Sequence, residues 1–144
     1  MSGLAGLLAH HVEPGIYRWH GHFPVEDVRH TVEHAGWQFA EVDGWHHTTK
    51  AEFLEAIGTA LDFPDHYGQN FDALADCLGD VTAGDSEGWV LLWDGWSPLA
   101  REDHRAFSVA LSVLGGRVNA ERGGPFVVVL RGDGPEVPGV PSLD

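Results

Sequence analysis

Residues 63–80, FPDHYGQNFDALADCLGD, decide how the rest of the chain is read. They read as a tight loop feeding a short helix. Asn70 is placed to cap that helix, because its side-chain oxygen can accept from the free N–H groups of the first turn. Phe71, Leu74 and Leu78 fall at i, i+3 and i+7, with Ala75 beside them, which predicts one stripe turned to a core. Asp72, Asp76 and Asp80 recur every fourth residue on the far side. Like charges four apart on a helix repel by roughly 0.2–0.5 kcal/mol per pair. Asp72 gains from the positive end of the helix dipole, whereas Asp80 meets the negative end and loses. Stability alone does not select such a row, and local conflicts of this kind tend to mark function. Gly68 is expected to supply the positive φ that a tight loop often needs.

Working outward, helical and strand signals alternate. Toward the N-terminus, Thr49 and Glu52 form a capping-box pattern that opens a helix reaching about Leu61, with Phe53, Ile57, Ala60 and Leu61 inward. Pro64 prevents its continuation. Residues 37–42 (WQFAEV) alternate as a strand, followed by an Asp43-Gly44 turn. Residues 25–35 form an amphipathic helix with Val25, Val28, Val32 and Ala35 on one side, between Pro24 and Gly36. Residues 15–20 (GIYRWH) read as a strand, and residues 1–14 as a loose N-terminus. Toward the C-terminus, residues 89–94 (WVLLWD) and 126–130 (FVVVL) are almost wholly apolar, as in parallel strands covered on both faces. Between them a helix starts near Pro98 or Arg101 and runs through Phe107, Ala110, Leu111 and Leu114; Gly115-Gly116 is expected to end or bend it, with a further turn to Arg122 left open. Residues 132–144, rich in Gly and Pro, are expected to be a flexible tail. The class is therefore α/β with a small, mainly parallel sheet, and residues 15–131 form a single domain.

Composition bounds the partners. The 144 residues are 43% hydrophobic, enough for one domain with a real core. The formal charge is −14, from 22 acidic residues against 8 Lys and Arg. Direct nucleic-acid binding is disfavoured because phosphate contact needs a basic footprint, and a basic protein is the better partner. The single cysteine, Cys77, excludes an intramolecular disulfide and fits a reducing, cytoplasmic setting. Residues 1–9 have neither a basic leader nor an apolar run of membrane length.

The run through Pro64, Tyr67, Gly68, Asn70, Asp72, Ala73, Leu74, Asp76, Cys77 and Leu78 resembles the central segment of barstar-family ribonuclease inhibitors. Looser similarity extends over residues 37–131, with residues 15–36 as a strand–helix addition. The resemblance implies a three-stranded parallel sheet from residues 37–42, 89–94 and 126–130, with residues 15–20 as a fourth strand. It implies an inhibitor, a monomer when free, that occupies the active site of a basic extracellular ribonuclease and protects a cell from its own nuclease or a rival's toxin. Carried over by position, Asp76 matches the main active-site contact and Asp72 a second acidic one. Gly68 and Asn70 match the binding loop, Tyr67 belongs to the family's aromatic pair, and Asp80 extends the acidic row. His66 falls where the family often has a stacking aromatic. Ala75 stands where barstar carries a tryptophan.

Read from the residues alone, the aspartate row admits three roles. Two carboxylates a turn apart can serve as acid and base in a glycosidase, although an exposed face offers nothing to raise one pKa. The row can be a solvated helix face. It can also imitate phosphate for a cationic site, since carboxylate–Arg pairs are strong once water is excluded. The family motif favours the third, with an interaction module for another basic protein as the alternative. Cys77 reads as a buried structural thiol. Of ten histidines, His20/His22, His30/His34 and His46/His47 each supply two ligands at most, short of the three or four a zinc site needs. No metal or cofactor is expected, and no catalytic residue is assigned.

Overall fold

The computed structural model describes residues 2–143. In chain order its elements are α1 (Ser2–Leu8), β1 (Ile16–Trp19), α2 (Val25–His34), β2 (Gln38–Asp43), α3 (Lys50–Ala60), α4 (Phe71–Gly79), β3 (Trp89–Asp94), α5 (Ser97–Glu102), α6 (His104–Val118) and β4 (Phe126–Arg131). The strands form one sheet in the order β1-β4-β3-β2, with every neighbouring pair parallel. The α/β class and the small parallel sheet thus agree with the sequence reading, and the strand over residues 15–20 finds its place on the outer side of β4. Among the described residues no helix is long and apolar enough to cross a membrane.

Strand side chains alternate between faces, so a continuous apolar strand must be covered twice. On one face Ala40, Val42, Leu91, Trp93, Phe126, Val128 and Leu130 pack with Phe53, Ile57, Leu74, Leu78, Phe107 and Leu114 from α3, α4 and α6. On the other, Phe39, Val90, Leu92, Val127 and Val129 pack with Leu4, Leu7 and Leu8 of α1, Val28 and Val32 of α2, and Trp19. Each buried Val, Leu, Ile or Phe among them stabilises the fold by roughly 1.5–3 kcal/mol relative to exposure. Residues 2–36 therefore supply the second layer of the domain as well as its fourth strand.

Three expectations about the chain's ends and its last helix differ from the structure. The first concerns the N-terminus. Residues 2–8 are helical, and Leu4 and Leu7 are each only 1% exposed. Small apolar residues that read as loose in sequence dock because a sheet face is waiting for them. The indole N–H of Trp37 fastens the end of α1 by donating to the Leu8 carbonyl at 3.1 Å.

The second is the tail. Its backbone runs along the free edge of β1: Arg18 N–H donates to Pro141 O at 2.8 Å, and Leu143 N–H to Arg18 O at 2.7 Å. Val137 and Val140 pack on the α3–α6 core. Main-chain donors and acceptors at an open sheet edge supply what the tail's sparse apolar residues do not.

The third is Gly115-Gly116. The helix runs through both to Val118 because buried Leu114 and Arg117 hold it on either side, outweighing the ~1 kcal/mol a helical glycine costs. The break lies earlier, at Asp103, whose carboxylate caps α6 by accepting from Ala106 N–H at 3.0 Å.

Two outcomes test this packing. Leu7→Ala should destabilise the protein by about 2–5 kcal/mol in urea unfolding, and a negligible loss would place α1 outside the cooperative unit. Glu41, on β2, has its pKa raised, first by burial and then by Asp43 and Asp94, with Arg29 and Arg131 partly offsetting this. The folded state thus holds the Glu41 proton more tightly than the unfolded chain. Its contribution is complete below the ordinary carboxylate range and is lost as pH rises through the elevated folded value. Glu41→Gln should therefore melt higher than the parent at pH 7, with the difference closing as pH falls to about 4; parallel pH profiles would remove Glu41 as the cause.

Candidate partner-binding surface

The capping oxygen of Asn70 accepts from Ala73 N–H at 2.8 Å, and α4 begins where the sequence places it. Leu74 and Leu78 are fully buried and Cys77 nearly so, at 9% exposure. The opposite side carries Asp72, Ala75, Asp76 and Asp80, all exposed. Ala75 thus belongs to the solvent side and not beside the apolar stripe. Three buried side chains fix the helix, and three carboxylates stand off it in solvent. They line none of the well-formed cavities of the described residues. Nothing encloses a pair of them in apolar walls, which is what acid–base chemistry at one raised carboxyl requires.

The preceding loop is held from beneath. Tyr67 is half-buried and donates its hydroxyl to Leu54 O of α3 at 3.0 Å. Burial pushes its pKa up to about 12, with a smaller contribution from Cys77. Its ring meets Phe63 edge-on at 5.0 Å and lies over Gly58, where an added Cβ would come within 2.7 Å. Tyr67 is accordingly the anchor of the loop, with His66, Gly68 and Asn70 exposed around it. The expectation for Gly68 is corrected: the left-handed residue is its neighbour Gln69, at φ 49°. Gly68 instead gives room to Asn70, whose side-chain amide lies 3.2 Å from where a Cβ would stand and donates to Gly68 O at 3.4 Å.

Cys77 behaves as a structural thiol. Burial raises its pKa, and the carboxylates of Asp80 and Asp76 raise it further, so the nucleophilic thiolate is disfavoured. Among the described residues no group of three or more His, Cys, Asp or Glu could hold a metal ion.

Two neighbours of α4 escaped the sequence reading. Lys50, at the start of α3, places its ammonium 5.1 Å from the centre of the Phe71 ring. Arg117 on α6 is only 4% exposed, and its guanidinium donates to Val81 O at 2.9 Å, Gly123 O at 3.1 Å and Gly124 O at 3.2 Å. It thereby pins the chain leaving α4. Burial lowers its pKa. The signal was in the periodicity: Arg117 lies seven residues after Ala110 and three after Leu114, on the buried stripe. Between His104 and Val118, α6 carries no carboxylate, so the acidic character of this surface comes from α4 and the segments around it.

Removing the Tyr67 hydroxyl tests the anchor. Tyr67→Phe should cost about 0.5–1.5 kcal/mol of stability and speed amide exchange over residues 66–70. Unchanged exchange there would mean that the hydroxyl does not hold the loop.

Compared with known families, residues 37–131 match the family model described as Barstar (barnase inhibitor). No curated protein matches the chain.

Proposed function

The chain belongs to the barstar family, and from that premise we propose that it is a stoichiometric protein inhibitor of a small, basic, secreted microbial-type ribonuclease. It works by occlusion and catalyses nothing itself. The observation that carries this reading is the exposed row Asp72, Asp76 and Asp80 on a helix whose opposite side is fully anchored, within the matched segment. Asp76, in the middle of the row, takes the place of the scissile phosphate, and Asp72 meets a second cation. His66, Gly68 and Asn70 give the loop contact, and Ala75 leaves a flat apolar spot between the carboxylates. Because α4 and its loop are fixed before binding, little ordering entropy opposes association. The acidic chain steers toward a basic enzyme from a distance. A cytoplasmic location, where the inhibitor meets nuclease before export or after entry of a rival's toxin, follows from this role.

The alternative, an interaction module for some other basic protein, draws on Ala75 and the carboxylate-free α6, which narrow the contact surface. A panel of purified microbial ribonucleases separates the two: stoichiometric loss of activity with one of them supports inhibition, and none supports the module.

Asp76→Ala is expected to act with opposite signs in two measurements. In the free protein it removes like-charge pairs with Asp72 and Asp80 and adds a better helix former, so the melting temperature should stay equal or rise. In the complex it strips a desolvated cation cluster of its counter-charge, which weakens binding by about 2–5 kcal/mol or more, a magnitude borrowed from the family's prototype complex. The association rate should also fall steeply with added salt. A large drop in melting temperature would make Asp76 structural, and undiminished inhibition would remove it from the interface.

A further inference from the structure

A second surface feature lies apart from the aspartate row, at the carboxyl ends of the strands. β1 and β4 are neighbours in the sheet, yet the chain leaves them toward opposite faces. From β1 it passes to α2, and from β4 into the tail whose Val137 and Val140 join the other core. Such a divergence opens a crevice outside the carboxyl ends of a parallel sheet. A cavity of about 540 Å³ sits there, within the range of ligand sites.

Its lining is unusual for this chain. The two large hydrophobic side chains most exposed among the described residues, Phe23 at 38% and Trp45 at 49%, both face it. Trp45 is held flat by two glycines that follow strands. A Cβ on Gly95 would come within 2.6 Å of its ring, and one on Gly132 within 3.0 Å, so backbone supports one side of the indole while much of the ring stays exposed.

The charges inside are arranged with equal consequence. Arg131 is spent internally: its guanidinium donates to both Asp94 oxygens, at 3.0 and 3.1 Å, and to Phe23 O at 2.6 Å. No Lys or Arg of the lining is therefore left for an anionic ligand, and the remaining basic groups there are the imidazoles of His20 and His22. Asp133 also lines it, and its carboxylate forms no ion pair or hydrogen bond among the described residues. An exposed indole beside a free carboxylate, on a chain of formal charge −14, suits a planar cation. Guanidinium stacks on aromatic faces and pairs bidentately with carboxylate, whereas ammonium does only the weaker part of this.

We propose that this crevice is a docking site for an arginine side chain of a basic protein segment, stacked on Trp45 and paired with Asp133. Residues 20–23, Gly132 and Asp133 of its lining lie outside the matched family segment, whereas Trp45, Asp94 and Arg131 lie within it. It stands whether or not the α4 row meets a ribonuclease.

The test titrates the full chain with a blocked Gly-Gly-Arg-Gly-Gly peptide and its Lys and Glu counterparts, following the Trp45 indole N–H by two-dimensional NMR, assigned with Trp45→Phe. The arginine peptide should give a saturable shift, the lysine peptide a severalfold weaker affinity and the glutamate peptide none. Asp133→Asn should weaken arginine binding about tenfold while melting like the parent. Asp72→Asn combined with Asp76→Asn should leave it unchanged. No saturable response at Trp45, an equal response in Asp133→Asn, or loss of binding in the α4 double variant would each overturn the proposal.

Discussion

An all-parallel sheet cannot leave a face in water without exposing half of every apolar strand, and the rest of this structure follows from that requirement. β3 and β4 lie in the middle of the sheet, and their side chains alternate between two cores. Four helices meet one face. The other is met by α1 and α2, which lie outside the residues matched to the family. The same segment sends β1 to cap the edge of β4, and the tail then lies along β1. Face and edge are closed by the two ends of the chain, and each end is ordered by what it closes.

The acidic surface depends on that closure indirectly. A short helix carrying three aspartates on one side is a poor helix in isolation, because like charges a turn apart repel and it has few turns in which to recover the loss. α4 persists because Leu74, Cys77 and Leu78 are buried, Asn70 caps its start, and Arg117 ties down the chain beyond its end. The core thus carries the electrostatic cost of the row. Tyr67 does the same for the loop, with its hydroxyl on α3 and its ring over Gly58. Rigid support beneath and unpaired charge above is the arrangement expected of a preformed recognition surface.

The strand ends show a different use of the same scaffold. Glycines after β3 and β4 let an indole lie on the backbone, and Arg131 is paired with Asp94 while Asp133 stays exposed at the rim. Both surfaces present carboxylate to solvent, but in different settings: a row of three on α4, and one in a crevice that also holds an exposed aromatic ring.

Much of this was legible in the sequence, and the boundary falls along physical lines. Short-range rules placed the Asn70 and Thr49 caps, the strand over residues 89–94, and the exposed side of α4, because capping and amphipathic periodicity depend on neighbours a few residues away. The continuous apolar strands announced that both sheet faces are covered, though not by what. Only the tertiary structure decided that residues 2–8 form a helix, that the tail orders along β1, and that α6 runs through two glycines, since each rests on a surface contributed by distant chain. It alone made Gln69 the left-handed residue, because the way the loop closes on α3 selects the position. It alone joined Phe23, Trp45 and the segment from Arg131 to Asp133, three places far apart in sequence, since a crevice between diverging connections exists only once strand order is set.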